Sequence, residues 1–301
     1  MDIKNGRFYL GDCLEVMKEI PDGVVDMILC DLPYGTTACK WDTVIPFDKL
    51  WEQYKRIIKD NGAIVLTASQ PFTSVLVMSN IDMFKVEWIW KKNAGSNFSQ
   101  TKYQPMKEHE SVLVFSKGKT NYYPIMQERS ESGKKMIKVG VKSKASKGDD
   151  VYAGANQGYD NSKQDANMRV PSSVQLFNRE RGLHPTQKPV ALFEYLIKTY
   201  TNEGDLVLDN CAGSGTTAIA AENTGRKWVC IEQSEEYATK AVERIWNHKE
   251  VMALSSYLRC PRQSFYKVLL AAGKTANWGH LPYSLWNWWF SFMLYCQCPA
   301  V

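Results

Sequence analysis

The stretch Asp205-Leu206-Val207-Leu208-Asp209-Asn210-Cys211-Ala212-Gly213-Ser214-Gly215-Thr216-Thr217 decides the fold. Residues 205–209 read as a short buried strand, the glycines at 213 and 215 as a turn, and the alanine-rich run Ala218 to Asn223 as the helix that follows. Two glycines let the backbone approach a ligand closely, and the free N–H groups of the next helix face whatever sits there. With Ala218 as a third small residue the spacing also fits the dinucleotide fingerprint, so this unit alone does not exclude a nicotinamide oxidoreductase. Beyond it, Arg226 to Ile231 reads as a strand ending at Glu232, a position that suits either the two hydroxyls of a ribose or plain solvent.

Upstream, strand and helix patterns alternate through residues 1–117, as a parallel sheet with crossover helices requires. Expected strands are Arg7 to Leu10, Val25 to Cys30, Ala63 to Thr67, Val86 to Lys91 and Ser111 to Phe115. Expected helices are Cys13 to Ile20, Pro46 to Lys59, Pro71 to Met78 and, further on, Val190 to Tyr200. Leu50, Trp51, Tyr54, Ile57 and Ile58 recur at helical spacing and read as core, with Asp60-Asn61-Gly62 as the helix exit. Trp88 and Trp90 read as sheet packing. His109 between Glu108 and Glu110 has the composition of a metal site. On a strand, however, the two glutamates share one face and the histidine takes the other, so a structural role is expected.

The run Val24 to Cys30 ends in Asp31-Leu32-Pro33-Tyr34, which combines a carboxylate, a stiff turn and an aromatic ring. That set suits an amino group on a flat ring. The lone pair of such a nitrogen is delocalised, so a methylating site must draw its hydrogens toward acceptors and hold the ring still. Asp31 offers one acceptor and the Leu32 carbonyl a second; Pro33 fixes its own φ at about −65°, and Tyr34 offers a stacking face. A strand that ends in Asp-x-Pro is also ordinary turn chemistry.

Together the two motifs resemble those of the DNA amino-methyltransferases, in which an Asp-Pro-Pro-Tyr type motif binds the target base and a Phe-Ala-Gly-Ser-Gly-Thr-Thr type motif binds S-adenosylmethionine. The base motif precedes the cofactor motif here, which resembles the circularly permuted beta class. Two further matches are His184-Pro185-Thr186-Gln187-Lys188-Pro189, a stretch that covers the cofactor in the family, and Gly11-Asp12-Cys13, the family's adenine-side contact. The resemblance spans residues 4–248. It implies an α/β, Rossmann-like S-adenosylmethionine-dependent methyltransferase fold, circularly permuted, with a mostly parallel twisted sheet and helices on both faces. The strand Arg7 to Leu10 would then follow the strand that ends at Glu232 in the folded order.

As the resemblance has it, Asp31, Leu32, Pro33 and Tyr34 are catalytic. The cofactor contacts are Asp12, Cys13, Asp31, Lys188, Pro189, Asp209, Cys211, Ala212, Gly213, Ser214, Gly215, Thr216, Thr217 and Glu232, and no metal is needed. Leu32 stands for the family's first proline and Cys211 for its usual phenylalanine; neither change removes a charged or acceptor group. The aspartate form of the base motif usually marks adenine and a serine form cytosine. The expected reaction is therefore methylation at N6 of a flipped-out adenine in double-stranded DNA, with cytosine N4 methylation or a catalytically decayed DNA-binding relative as alternatives. Methylation at cytosine carbon 5 would call for a thiolate in a Pro-Cys pair, which the chain lacks. Lys91, Lys92 and Asn93 suit either the DNA cleft or a solvated strand end.

Composition agrees with this reading. The 301 residues, 44% of them hydrophobic, suffice for one α/β core plus an insertion, and a net charge of +5 permits a polyanion without requiring one. Residues 1–117 are expected to form the catalytic half, 118–182 an inserted target recognition region, 183–250 the cofactor half and 251–301 an aromatic-rich tail. The insertion is rich in Lys, Ser, Gly and Asn, most basic from Ser132 to Lys147, and its Tyr122, Tyr123, Tyr152 and Tyr159 suit base and phosphate contacts. A solvated loop has the same texture. The tail carries Trp278, Trp286, Trp288, Trp289, Cys296 and Cys298, a composition suited to dimerisation, to a membrane-surface element or to little function. Eight cysteines without paired metal spacing, no leader and no run of 18 apolar residues point to a cytoplasmic protein without membrane contact. A homodimer and a cognate restriction endonuclease are partners the resemblance admits.

Overall fold

The computed structural model describes residues 2–3, 5–37, 39, 42–136, 165, 167–180 and 187–258. The chain divides into two units, Met1–Ile245 and Trp246–Val301. The first contains β1 (Asp2–Ile3), β2 (Gly6–Leu10), α1 (Cys13–Lys18), β3 (Val25–Asp31), α2 (Phe47–Ile57), β4 (Ile58–Ala68), α3 (Phe72–Ser79), β5 (Phe84–Lys91) and β6 (His109–Phe115). The short pieces β7 (Gln127–Glu128), α4 (Glu131–Met136), β8 (Met168–Arg169) and β9 (Val174–Leu176) come next. They lead to α5 (Val190–Tyr200), β10 (Leu206–Asp209), α6 (Thr216–Asn223), β11 (Lys227–Glu232) and α7 (Glu235–Leu258), whose last turns belong to the second unit.

Nine of these strands form one sheet in the order β1-β2-β11-β10-β3-β4-β6-β5-β9. From β2 to β4 the pairing is parallel throughout, so the C-terminal ends of β2, β11, β10, β3 and β4 lie along one edge. Along β3 consecutive side chains go to opposite faces. Met27 and Leu29 join the core under α5, α6 and the start of α7, whereas Ile28 and Cys30 join the core under α1, α2 and α3. Each such aliphatic side chain, fully buried, contributes about 1.5–3 kcal/mol. The apolar alternation of β3 thus holds helices on both faces. At Gly6 a Cβ would lie 2.1 Å from the Trp228 ring, so the contact between β2 and β11 admits only glycine.

The sheet is mostly parallel as expected, with β6 running antiparallel to both β4 and β5, and one expectation about local order changes. The link between β5 and β6 carries a single 3₁₀ turn, Phe98–Gln100, and no crossover helix, so the chain returns in the opposite direction. Asp60-Asn61-Gly62, expected as a helix exit, falls inside β4. Ile58 is already extended (φ −77°, ψ 140°) and pairs with Val25, and a register shift between Val25 and Met27 absorbs the extra length.

The segment 118–182 meets the domain at several points. Its β9 pairs with β5 and forms the sheet edge. The Tyr123 N–H donates to the Thr199 carbonyl at 2.8 Å, its hydroxyl accepts from Asn202 at 2.7 Å, and Tyr122 lies 6.2 Å from the Tyr200 ring. These two tyrosines, expected to touch nucleic acid, are fastened to the C-terminal end of α5 while keeping exposed surface. Tyr152, Tyr159, most of the basic run to Lys147, and the tail's Trp278, Trp286, Trp288, Trp289, Cys296 and Cys298 lie outside the described residues. Among the described residues no helix is long and apolar enough to cross a membrane.

Candidate active site

Asp31 ends β3 and Asp209 ends β10, and these strands are hydrogen-bonded neighbours, with Val207 opposite Met27 and Leu208 opposite Ile28. On the far side of β10, β11 ends at Glu232 opposite Leu10 of β2, and the Gly11 N–H donates to the Glu232 carbonyl at 2.9 Å. The turns that leave these strands therefore surround a single cavity of about 930 Å3. Asp12, Cys13, Asp31, Leu32, Pro33, Tyr34, Lys188, Asp209, Cys211, Ala212, Gly213, Ser214, Thr216 and Glu232 all line it. Pro189, Gly215 and Thr217 do not. Pro189 is buried at the start of α5, Thr217 is buried with its hydroxyl on Asp209, and a Cβ on Gly215 would meet Ala241 and Ile245 of α7. His184, Pro185 and Thr186 lie outside the described residues.

The Gly213 turn and its neighbours are organised by local polar groups. Gly213 has φ +50° and nothing within 4 Å of where a Cβ would stand, which leaves an open cradle. The Glu232 carboxylate accepts from the N–H groups of Gly213 (2.8 Å) and Ser234 (2.9 Å). Asp12 caps α1 by accepting from Leu14 at 2.8 Å. Asp209 accepts from the Cys211 N–H and the Thr217 hydroxyl; burial outweighs these bonds and raises its carboxyl to about 6. The Cys211 thiol is pushed well up by its hydrogen bonds to Cys13 and Cys30 and by burial, so it remains a neutral thiol.

Charge concentrates on the other side. Asp31 Oδ1 accepts from the Tyr34 hydroxyl at 2.7 Å and from Thr67 of β4, and Oδ2 accepts from Lys188 Nζ at 2.6 Å. Lys188 Nζ also lies 3.5 Å from Glu110 Oε2 and 5.6 Å from the centre of the Tyr34 ring. Glu110 Oε1 pairs with Lys92. Burial would lower the Lys188 ammonium, but Asp31 and Glu110 outweigh it and hold the group above its ordinary value. Burial likewise would raise Glu110, and Lys188 and Lys92 bring it below the usual carboxylate range. Phe72 stacks on Tyr34 at 5.0 Å. The loop after Tyr34 is gathered by Asp42, whose carboxylate accepts from the N–H groups of Gly35, Thr36 and Thr37 at 2.7–2.9 Å.

The family model described as DNA methylase (N6_N4_Mtase) matches residues 25–243, more than half of the chain. The chain belongs to the DNA methylase family. It is similar to the type II methyltransferase M.HpaI of Haemophilus parainfluenzae, at 27% identity over 79% of this chain and 74% of that protein. It is also similar to the DNA adenine methyltransferase YhdJ of Escherichia coli (strain K12), at 29% identity over 78% of this chain and 81% of that one. The fold matches the crystal structure of the M1.HpyAVI–SAM complex with a TM-score of 0.54, at 23% identity, over 79% of this chain and 99% of that chain.

Several residues of this DNA methylase reach the cavity or its charged wall without having been singled out for it. Glu110, read as structural, is half-buried in the wall, its side chain 14% exposed, and Lys92, left open between a DNA cleft and solvent, is buried beside it. Thr67 and Asp42 carried no motif signal. Asn210, 2% exposed, lines the cavity and accepts from the Tyr54 hydroxyl of α2 at 2.5 Å. Arg244 of α7 donates to the Ser214 carbonyl at 3.0 Å and to Thr216 at 3.1 Å, which bolts the glycine turn to the last helix of the first unit. No group of His, Cys, Asp and Glu among the described residues could hold a metal.

Proposed function

We propose that this DNA methylase transfers a methyl group from S-adenosylmethionine to N6 of an adenine flipped out of double-stranded DNA. One observation carries the reading: the Asp31 turn and the Gly213 turn, distant in the chain, open onto one cavity. The Gly213 cradle, the Glu232 carboxylate and the N-terminal side of α6 fit S-adenosylmethionine, which when bound supplies a methyl group on a sulfonium. Asp31, backed by the Leu32 carbonyl, accepts hydrogens of the target amino group and makes its lone pair available. Tyr34 has one face on Phe72 and presents the other to the base. Stacking there offsets about 1–3 kcal/mol of a flipping cost of a few kcal/mol. The remaining work is position and fixed charge.

Adenine is favoured by the aspartate at position 31 and by the similarity to YhdJ. We take 118–182 as the target recognition region; its Arg179 and Glu180 line the cavity, which supports that reading. The test is transfer of radiolabelled methyl to unmethylated DNA followed by nucleoside analysis. Label in N6-methyladenine is expected. Label in N4-methylcytosine would refute the choice of base, and unlabelled DNA with bound cofactor would refute the enzyme.

A further inference from the structure

We propose that Glu110 is a positioning residue that takes the Lys188 ammonium from Asp31 when the target amino group arrives, an inference that rests on the base-acceptor role proposed for Asp31. Lys188 Nζ donates to Asp31 Oδ2 at 2.6 Å. A carboxylate that already neutralises a buried ammonium is a weaker acceptor for an incoming amino hydrogen. Its other oxygen serves the hydroxyls of Tyr34 and Thr67. The ammonium therefore needs a second resting place.

Glu110 provides it. Its Oε2 is buried, has no hydrogen-bond partner and stands 3.5 Å from Lys188 Nζ. An approach of roughly 0.7 Å shortens that separation to a charge-assisted hydrogen bond. The receiving carboxylate does not need to move, because its Oε1 is held by Lys92, whose ammonium lies 5.1 Å from the Trp90 ring centre. Asp31, Lys188, Glu110 and Lys92 form an alternating row of two carboxylates and two ammoniums. Sliding Lys188 along this row conserves charge and exposes Asp31 Oδ2 to the cavity. Lys92 and Lys188 are 5% and 6% exposed at the side chain, so water does not readily replace Glu110 as the partner.

The full chain with Glu110→Gln tests this. Single-turnover methyl transfer is expected to slow at least tenfold, with KM for DNA and Kd for S-adenosylmethionine within about twofold of wild type. In a double-mutant cycle, Lys188→Met combined with Glu110→Gln is expected to be no slower than Lys188→Met alone, because Glu110 acts only through Lys188. Glu110→Asp keeps the charge but withdraws it by one methylene, and is expected to fold and to transfer methyl several-fold slower. Wild-type rates in Glu110→Gln, or in Glu110→Asp should the glutamine variant not fold, would overturn the proposal, as would additive losses in the cycle. Wild-type protein that leaves adenine unmethylated would instead refute the function on which the proposal rests.

Discussion

Asp31→Asn isolates the charge of the central carboxylate while preserving its shape. In the native site one oxygen accepts two hydroxyls and the other accepts the Lys188 ammonium. The amide keeps one acceptor but turns an N–H donor toward either the ammonium or the hydroxyls. Removing one partner of a fully buried ion pair costs about 3–5 kcal/mol. Here Lys188 keeps Glu110 at 3.5 Å and the Asp31 side chain is 23% exposed, so about 1–2 kcal/mol is expected. For a domain of this size that lowers Tm by about 2–8 °C. Catalysis should fall much further, by about 100- to 1000-fold in kcat, the usual loss when one preorganised electrostatic partner of a reacting group is removed. Asp31 is one expected cofactor contact among many and the glycine turn and Glu232 are untouched, so calorimetry should show S-adenosylmethionine binding largely retained, its affinity falling far less than kcat. Near-normal turnover in the folded variant would refute the assignment of Asp31 as the acceptor. Loss of cofactor binding with the fold intact would show that the two halves of the cavity are not separable as argued.

Three further outcomes follow from the same geometry. Gly213→Val puts a branched side chain into open cavity at φ +50°, at a backbone cost of about 1–3 kcal/mol, and titration calorimetry should show S-adenosylmethionine affinity reduced more than tenfold; unchanged affinity would place the cofactor elsewhere. Asp209 has its carboxyl raised to about 6 by burial, so the folded state holds a proton that the unfolded state has released, and this group's contribution to stability falls as pH rises from about 4 to 6. Chemical denaturation across that range should show stability falling less steeply, or rising more steeply, with pH in Asp209→Asn than in wild type, and an identical slope would contradict the shift. Truncation after Lys249 keeps the whole of the unit Met1–Ile245 and should bind S-adenosylmethionine as the full chain does; loss of binding in a folded truncation would assign the tail a part in the site.

What could be read in the sequence depended on whether the signal was local. The strand, glycine turn and helix at 205–223 and the acidic turn at 31–34 each announce themselves within a dozen residues, through period, glycine placement and a strand-ending carboxylate. Glu110 could not be read that way. Sequence spacing put it on one face of a strand, but whether it reached the cavity depended on which end of that strand lay at the cavity edge. In a parallel β6 its first residues would stand at the opposite edge from Asp31. Because β6 is antiparallel, its N-terminal end lies beside the C-terminal end of β4, with Ser111 opposite Ala68 and Val112 opposite Thr67. The lack of a helix pattern between Lys91 and His109 was the available signal, since a parallel return needs a crossover. The register of β4, fixed by a shift opposite Val25, was invisible for a similar reason: it depends on the neighbour strand and not on the segment itself.

The permuted order of the motifs matters little to the cavity, because what joins its halves is sheet pairing and not chain connectivity. Asp26 of β3 shows how that pairing is enforced at the end away from the cavity. One of its carboxylate oxygens accepts from the Leu206 N–H at 2.9 Å, at the first residue of β10, and the other accepts from Lys59 Nζ at 2.5 Å, in β4. One side chain thus ties the start of the cofactor strand and the adjoining strand to the strand that carries Asp31. A one-residue slip between β10 and β3 would break this link and would also turn Val207 and Leu208, each wholly buried in a different core, toward the wrong faces of the sheet. The register that packs the two cores is therefore the same register that brings Asp31 and the Gly213 turn to a common edge, so any sequence that folds this sheet has already aligned the base side of the cavity with the cofactor side.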